Sequence, residues 1–402
     1  MATKFANPFK PGAGHMPPYL AGRQSENREF SRLLKQETIL ENMVLTGLRG
    51  VGKTVLLETF KPVAIRDKWF WVGTDLSESA TVREETLAIR LMTDLSVVTS
   101  DIMIATDPPQ LGFGKGTRRV DQPLNYETLT RIYGDTPGLL SDKLKAVLDF
   151  VWVCLRAVKA RGLIFAYDEG QNLADHSEKG QYPLSVLLDV FQSIQKRNIP
   201  FMLILTGLPT LFPKLVEART FAERMFRVVF LNRLDENDSR DAILKPIRTA
   251  SCPVSLGSEA VDTIVEMSSG YPYFIQFICR EVFDAFLQKI GRVQKPSIPA
   301  GEIMRKLDSD FFAGRWARAT DRQRELLTLI AKLENCDSEF TIQAITEMSK
   351  KNMKKPLTGS QVNQMLAVLI NNGLVYKNRH GWYSFAVPLF GQFILRQTEW
   401  QG

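Results

Sequence analysis

An α/β protein with a buried parallel sheet, followed by an all-helical stretch and then by three helices and a hairpin, is the fold this sequence predicts. Two runs apolar at every position, Leu163-Ile-Phe-Ala-Tyr167 and Phe201-Met-Leu-Ile-Leu205, suit strands covered on both faces. A third apolar run, Met43-Val-Leu-Thr46, stops at a glycine-dense turn that leads directly into Val55, Leu56, Leu57 and Phe60 at helical spacing. From Asp235 the strand signal vanishes for roughly 130 residues and returns only at Leu374-Val-Tyr-Lys377.

The composition bounds the rest. A chain of 402 residues with 44% hydrophobic and 24% charged content is globular and long enough for two or three domains, which excludes disordered and fibrous classes. Cys154, Cys252, Cys279 and Cys336 lie far apart, with no C-x-x-C pair, and read as reduced thiols. The three histidines, His15, His176 and His380, have no second His or Cys at ligand spacing, which argues against a zinc site or a Ser-His-Asp engine. The N-terminal stretch is rich in proline and lacks the apolar core of a secretory signal, and no window approaches a membrane span. The expectation is a cytoplasmic protein with no membrane contact.

Taken in order, a Pro/Gly-rich arm ends at Leu20-Ala-Gly22-Arg23, and Phe30, Leu33 and Leu34 mark one surface helix. Trp69-Phe-Trp-Val72 predicts a second strand. Between Asp107 and Gly138 the residues turn to Gly, Pro, Arg and Thr, which reads as a long excursion rather than a core element, with Lys115, Arg118 and Arg119 as its cations. A helix is expected at about 141–160. Further helices are expected at 236–248, 258–267 and 272–290, the last with proline in its first turn. Past Thr320, helices near 322–333, 342–349 and 360–371, then a hairpin through Asn378-Arg-His-Gly381, outline a winged helix.

The chemistry concentrates in one turn. Gly47-Leu48-Arg49-Gly50-Val51-Gly52-Lys53-Thr54, with Val55 following, matches G-x-x-x-x-G-K-[ST] between a strand and a helix. Its glycines let backbone N–H groups face phosphate oxygens, and the helix N-terminus adds partial positive charge. Lys53 would reach the β and γ phosphates, and Thr54 would ligate Mg²⁺. A triphosphate site also needs a carboxylate at the end of a neighbouring buried strand, and Asp168-Glu169 supplies one: Asp168 for the metal, Glu169 to orient or deprotonate the attacking water. Thr206 ends the next buried run, where its hydroxyl would meet the γ phosphate or the lytic water, or cap the following turn. Arg219, Arg224 and Arg227 flank the strand-like Val228-Val-Phe-Leu231, and one of them, with Arg224 preferred, would complete a neighbouring subunit's site.

With these motifs in hand, the chain resembles the AAA+ ATPases, and within them the initiator-type group related to archaeal Orc1/Cdc6 proteins. Leu20-Ala-Gly22-Arg23 is similar to that family's opening segment, which the resemblance lays against adenine and ribose. The resemblance casts 47–54 as Walker A, 163–169 as Walker B and Thr206 as sensor 1. It implies a P-loop parallel-sheet ATPase core over 1–234 with the N-terminal arm, a helical lid over 235–314 and a winged-helix domain over 315–402. The chain departs from the family at Gly270-Tyr-Pro-Tyr273, where many initiators carry a sensor 2 arginine; Arg280 follows only later. Similar Gly-x-Pro segments occur in STAND-type signalling ATPases.

From Arg315 onward there are twelve basic residues against seven acidic, most of the chain's net charge of +7. Lys350, Lys351, Lys354 and Lys355 precede a helix opening with Gln361, Asn363 and Gln364, and Arg379 lies in the wing, a pattern that suits duplex DNA. The expected function is an ATP-hydrolysing, Mg²⁺-dependent protein that uses ATP to control homo-oligomeric assembly on DNA, as a loader, initiator or mobile-element regulator. The alternative is a signalling or antiphage-defence switch whose winged helix docks a protein effector.

Overall fold

The computed structural model describes residues 6–12, 14–106, 120–250, 255–289, 298–334, 336–379 and 381–399. The chain forms two compact units. A sheet unit comprises Gln24–Thr46 and Leu56–Phe230; a helical unit comprises Met1–Arg23, Gly47–Val55 and Leu231–Gly402.

The sheet unit is built on five parallel strands, β1 (Asn42–Thr46), β2 (Trp69–Asp75), β5 (Gly162–Asp168), β6 (Phe201–Gly207) and β7 (Phe226–Phe230), in the order β2-β5-β6-β1-β7. Between β2 and β5 in sequence, β3 (Met103–Thr106) and β4 (Val120–Pro123) pair as a separate antiparallel ribbon. Every residue of β1, β5 and β6 is buried, as expected of strands covered on both faces, whereas the edge strands β2 and β7 expose part of their length. The helices Glu84–Thr99, Leu140–Ala157 and Pro183–Lys196 bury apolar faces in the same core. Phe165 of β5 meets Phe191 edge to face at 5.1 Å and Phe201 at 6.0 Å. Each such fully buried ring contributes roughly 1.5–3 kcal/mol of transfer free energy.

Two expectations are corrected here. The strand bearing Asp168 is not the neighbour of β1: β6 lies between them, with Leu45 opposite Thr206 and Tyr167 opposite Leu205. Sequence order says nothing of strand order when crossovers join parallel strands. The stretch 107–138 is also only partly an excursion. Residues 107–119, with Lys115, Arg118 and Arg119, lie outside the described residues, but beyond β4 Leu124 and the helix Tyr126–Asp135 join the core, with Leu124 and Leu129 fully buried. The Asn125 side chain caps that helix by accepting from the Thr128 amide at 3.1 Å. The Gly- and Pro-rich flanks masked its period.

In the helical unit the helices Glu236–Thr249, Ser258–Ser268 and Pro272–Lys289 stand where the punctuation predicted them, Asp235 capping the first. The N-terminal arm packs on them. Phe9 is buried against Phe283 at 5.3 Å, Asn7 Nδ2 donates to the Arg280 carbonyl and to Asp284 Oδ1, both at 2.9 Å, and Lys245 Nζ donates to the Tyr19 hydroxyl at 2.7 Å.

The winged helix follows. It has the helices Asp321–Ala331, Ile342–Asn352 and Gly359–Asn371, and a sheet β8-β10-β9 made of β8 (Phe340–Thr341), β9 (Val375–Arg379) and β10 (Trp382–Phe385). A last helix, Phe390–Glu399, closes it, with Phe393 stacked on Phe312 at 5.2 Å and Arg396 Nε donating to Asp308 at 3.0 Å. The molecule therefore has a parallel-sheet α/β unit and a helical unit that carries a C-terminal winged helix. Cys154 and Cys279 are buried free thiols and Cys336 is half-buried; Cys252 and His380 lie outside the described residues. No helix among the described residues is long and apolar enough to cross a membrane.

Candidate nucleotide-binding site

The turn that leaves β1 is held by its own unit. Gly50 has φ +81°, and a Cβ there would approach the Cβ of Tyr273 to 3.1 Å, while a Cβ on Gly47 would come within 2.5 Å of the Leu231 carbonyl, so neither position tolerates a side chain. The Tyr273 amide donates to the Gly50 carbonyl at 3.2 Å. Arg23, nine-tenths buried, donates from Nη2 to the carbonyls of Val51 and Asn232, both at 2.9 Å. Arg49 Nε donates to the Tyr376 hydroxyl at 3.3 Å. Lys53 and Thr54 open the helix Lys53–Arg66, whose first amides carry the partial positive charge of a helix start, and Val55 follows. Lys53 Nζ donates to the carbonyls of Gly47 at 2.9 Å and Leu48 at 3.1 Å, so the ammonium is folded over the loop it belongs to.

Gly22 and Arg23 thus act on the loop's frame. Gly22 has φ +63° and lies against Asp238, where a Cβ would meet the carboxylate at 2.4 Å, and Arg23 ties Val51 to the start of the lid.

Within the sheet unit, the C-terminal ends of β5 and β6 bring three polar groups together. Asp168, 5% exposed, accepts from the Glu169 amide at 2.7 Å and from the hydroxyl of fully buried Thr206. That pairing follows from β6 being the immediate neighbour of β5. Glu169 is exposed and has φ +54°, the left-handed region where a residue with a Cβ costs roughly 1 kcal/mol or more. The sharp turn aims its carboxylate away from the strand, and Gln171 Nε2 donates to it.

Gln171 is the residue sequence reasoning missed. Its Oε1 accepts from the Leu208 amide at 3.1 Å and its carbonyl accepts from Lys214 Nζ at 2.9 Å, so one side chain links Glu169 to the segment after β6. Burial lowers the Lys214 pKa against the raising influence of Glu217.

The three candidate arginines separate. Arg219 forms a two-pronged pair with Asp189 at 2.9 and 2.7 Å, and Arg227 pairs with Glu29 at 2.8 Å. Arg224 is exposed in the short helix Ala222–Met225, and among the described residues it has no ion pair. It precedes β7, whose first residue Phe226 pairs with Asn42, the first of β1, so it lies at the N-terminal end of the parallel strands, whereas Asp168 and Thr206 lie at the C-terminal end. Arg280 is exposed, 3.9 Å from Asp284.

In the winged helix, Gln361, Asn363 and Gln364 are exposed on the helix Gly359–Asn371, as are Lys350, Lys351, Lys354 and Lys355 before it. Gln361 is partly committed, since its Oε1 accepts from the Thr358 amide at 3.0 Å in a capping box. Arg379 is engaged with Glu339 at 2.8 Å and lies over the Trp382 ring at 4.7 Å.

No group of three or more His, Cys, Asp and Glu among the described residues could hold a metal by itself. The carboxylate of Asp168 and the hydroxyl of Thr54 are each, in their own unit, a hard oxygen donor of the kind Mg²⁺ takes when phosphates and water complete its shell.

A glycine loop after the inner strand of a β2-β5-β6-β1-β7 parallel sheet, with an acidic pair at the end of β5, defines the P-loop α/β class. No curated protein matches the sequence. Residues 309–394 match a family described as a domain of unknown function, DUF8462. Among solved structures, the Walker-type ATPase PABY2304 of Pyrococcus abyssi aligns at a TM-score of 0.57 and 17% identity, covering 94% of this chain and 96% of that one. The ADP form of the ORC2 protein of Aeropyrum pernix aligns at 0.51 and 15%, covering 97% and 99%. The chain therefore shares the fold of these two proteins over nearly its whole length.

Proposed function

We propose that this protein binds ATP at the loop Gly47–Val55, hydrolyses it with Mg²⁺, and uses the nucleotide to control oligomeric assembly on duplex DNA. The observation that carries the reading is the loop itself: a glycine turn of fixed shape at a helix start, with Lys53 folded over it, in a chain whose β5 ends in Asp168-Glu169. Thr54 and Asp168 would hold Mg²⁺, which when bound neutralises phosphate charge. Lys53 orients the β and γ phosphates by charge-assisted hydrogen bonds. Glu169, steadied by Gln171, accepts a proton from the attacking water, and Thr206 keeps the Asp168 carboxylate in one orientation.

Assembly rests on Arg224, whose exposed position at the strand end away from Asp168 suits a neighbouring subunit's phosphate. Arg224→Ala is expected to slow hydrolysis at least tenfold while leaving ATP affinity intact, and mixing with Glu169→Gln subunits restores activity. Absence of rescue in the mixture rejects the shared site.

DNA binding rests on the exposed lysines at 350–355 and the exposed amides of the following helix. Duplex affinity measured across a salt series is expected to fall steeply, and Lys354→Glu with Lys355→Glu to weaken it about tenfold or more at low salt and flatten the slope. Unchanged binding in the double variant sinks the DNA assignment. One observation favours a second reading, a nucleotide-operated switch: Tyr376 of the winged helix touches Arg49 of the loop, so the domain that meets a partner also meets the phosphate loop.

A further inference from the structure

Beside the loop, the helical unit gathers cations that its own carboxylates leave unpaired. The chain of contacts starts at Gly50, whose carbonyl accepts from the Tyr273 amide at 3.2 Å. The Tyr273 ring lies 5.2 Å from the Phe311 ring, and the Arg315 guanidinium lies 4.5 Å over the other partner of that contact, Phe311, to whose carbonyl it also donates. Arg49, from the loop itself, is fastened to Tyr376, and Arg318 follows Arg315 by one turn. Burial first, and then the fields of Arg49 and Arg318, lower the Arg315 pKa, so the three charges repel one another at close range. Asp310 is near enough to act on the Tyr273 hydroxyl, yet among the described residues none of the three arginines pairs with a carboxylate. Guanidinium groups held this way, one of them half-buried and fixed on an aromatic ring, gain most from an oxyanion that accepts several of their N–H groups at once.

We propose that Arg315, with Arg49 and Arg318, forms a second phosphate-binding group that takes the terminal phosphate of the nucleotide held by the loop. It rests on the reading of that loop as a nucleotide site. The arginine works from the helix Ala313–Trp316, between lid and winged helix, while residue 273 is a tyrosine. The consequence is selectivity for triphosphate over diphosphate, reported directly to the segment that leads into the winged helix.

Binding of ADP and of a slowly hydrolysed ATP analogue to the full-length chain, by calorimetry, tests this. Arg315→Gln is expected to weaken the triphosphate analogue about tenfold or more and ADP less than about twofold, with Arg318→Gln moving both in the same sense by less. An unchanged ratio of the two affinities in Arg315→Gln overturns the inference while leaving the nucleotide site standing. Wild-type protein that binds neither nucleotide removes both. A duplex-DNA titration run in parallel separates the two sources of phosphate: loss of DNA affinity in Arg315→Gln at an unchanged nucleotide ratio assigns the cluster to DNA and overturns the proposal. Should Arg315→Gln unfold, Arg318→Gln, an exposed position, decides alone, and no shift in its ratio overturns the proposal.

Discussion

Glu169→Gln is expected to bind ATP as the wild type does and to lower the rate of phosphate release by about two to four orders of magnitude, the usual share of a positioned base. The carboxylate ends a turn that is strained at φ +54° and is steadied by Gln171, an arrangement with no packing benefit because the side chain is exposed. Gln keeps the volume and can still pair with Gln171 after an amide flip, so the fold and Asp168 stay as they are. Nucleotide affinity and single-turnover hydrolysis measured together isolate the proton-transfer role. Wild-type hydrolysis in this variant rejects Glu169 as the base.

Lys53→Ala is expected to weaken nucleotide binding about a hundredfold or beyond detection, since a charge-assisted contact to phosphate is lost at the loop's centre. The loop survives the change. Its shape depends on Arg23 at Val51 and on Tyr273 at Gly50, and the Lys53 hydrogen bonds to Gly47 and Leu48 go to carbonyls of a partly exposed turn. Thermal unfolding should therefore move little while calorimetric titration with ATP loses its signal. Retained affinity in a folded Lys53→Ala variant removes the loop from the nucleotide site.

Some of this architecture is written locally in the chain. The strands β1, β5 and β6 are apolar on both parities because both of their faces are covered, and the helices past Asp235 carry their own stops and starts in Gly270, Pro272 and the Asp235 cap. The glycine loop is legible for a similar reason, since its spacing is a backbone requirement. Other parts are not local. In the helix Glu84–Thr99, Asp94 is buried beneath its pair with Arg90, so a charge stands where the apolar stripe should continue. Gln171 acquires meaning only when β5 and β6 lie side by side, which follows from crossovers and not from any residue pattern. Tyr376 is 327 residues from Arg49, and nothing in either neighbourhood announces the other.

The phosphate loop belongs to the helical unit although it grows out of a strand of the sheet unit. A chain made from its N-terminus has all five sheet strands once Phe230 has appeared, yet at that moment the loop still lacks Asn232, Tyr273 and Tyr376. Closing such distant contacts waits on chain that does not yet exist, and each closure carries an entropic cost that rises with the span. The order of biosynthesis therefore gives a sheet whose strands are complete early and a glycine loop whose partners arrive late, after the chain has run on through Tyr376.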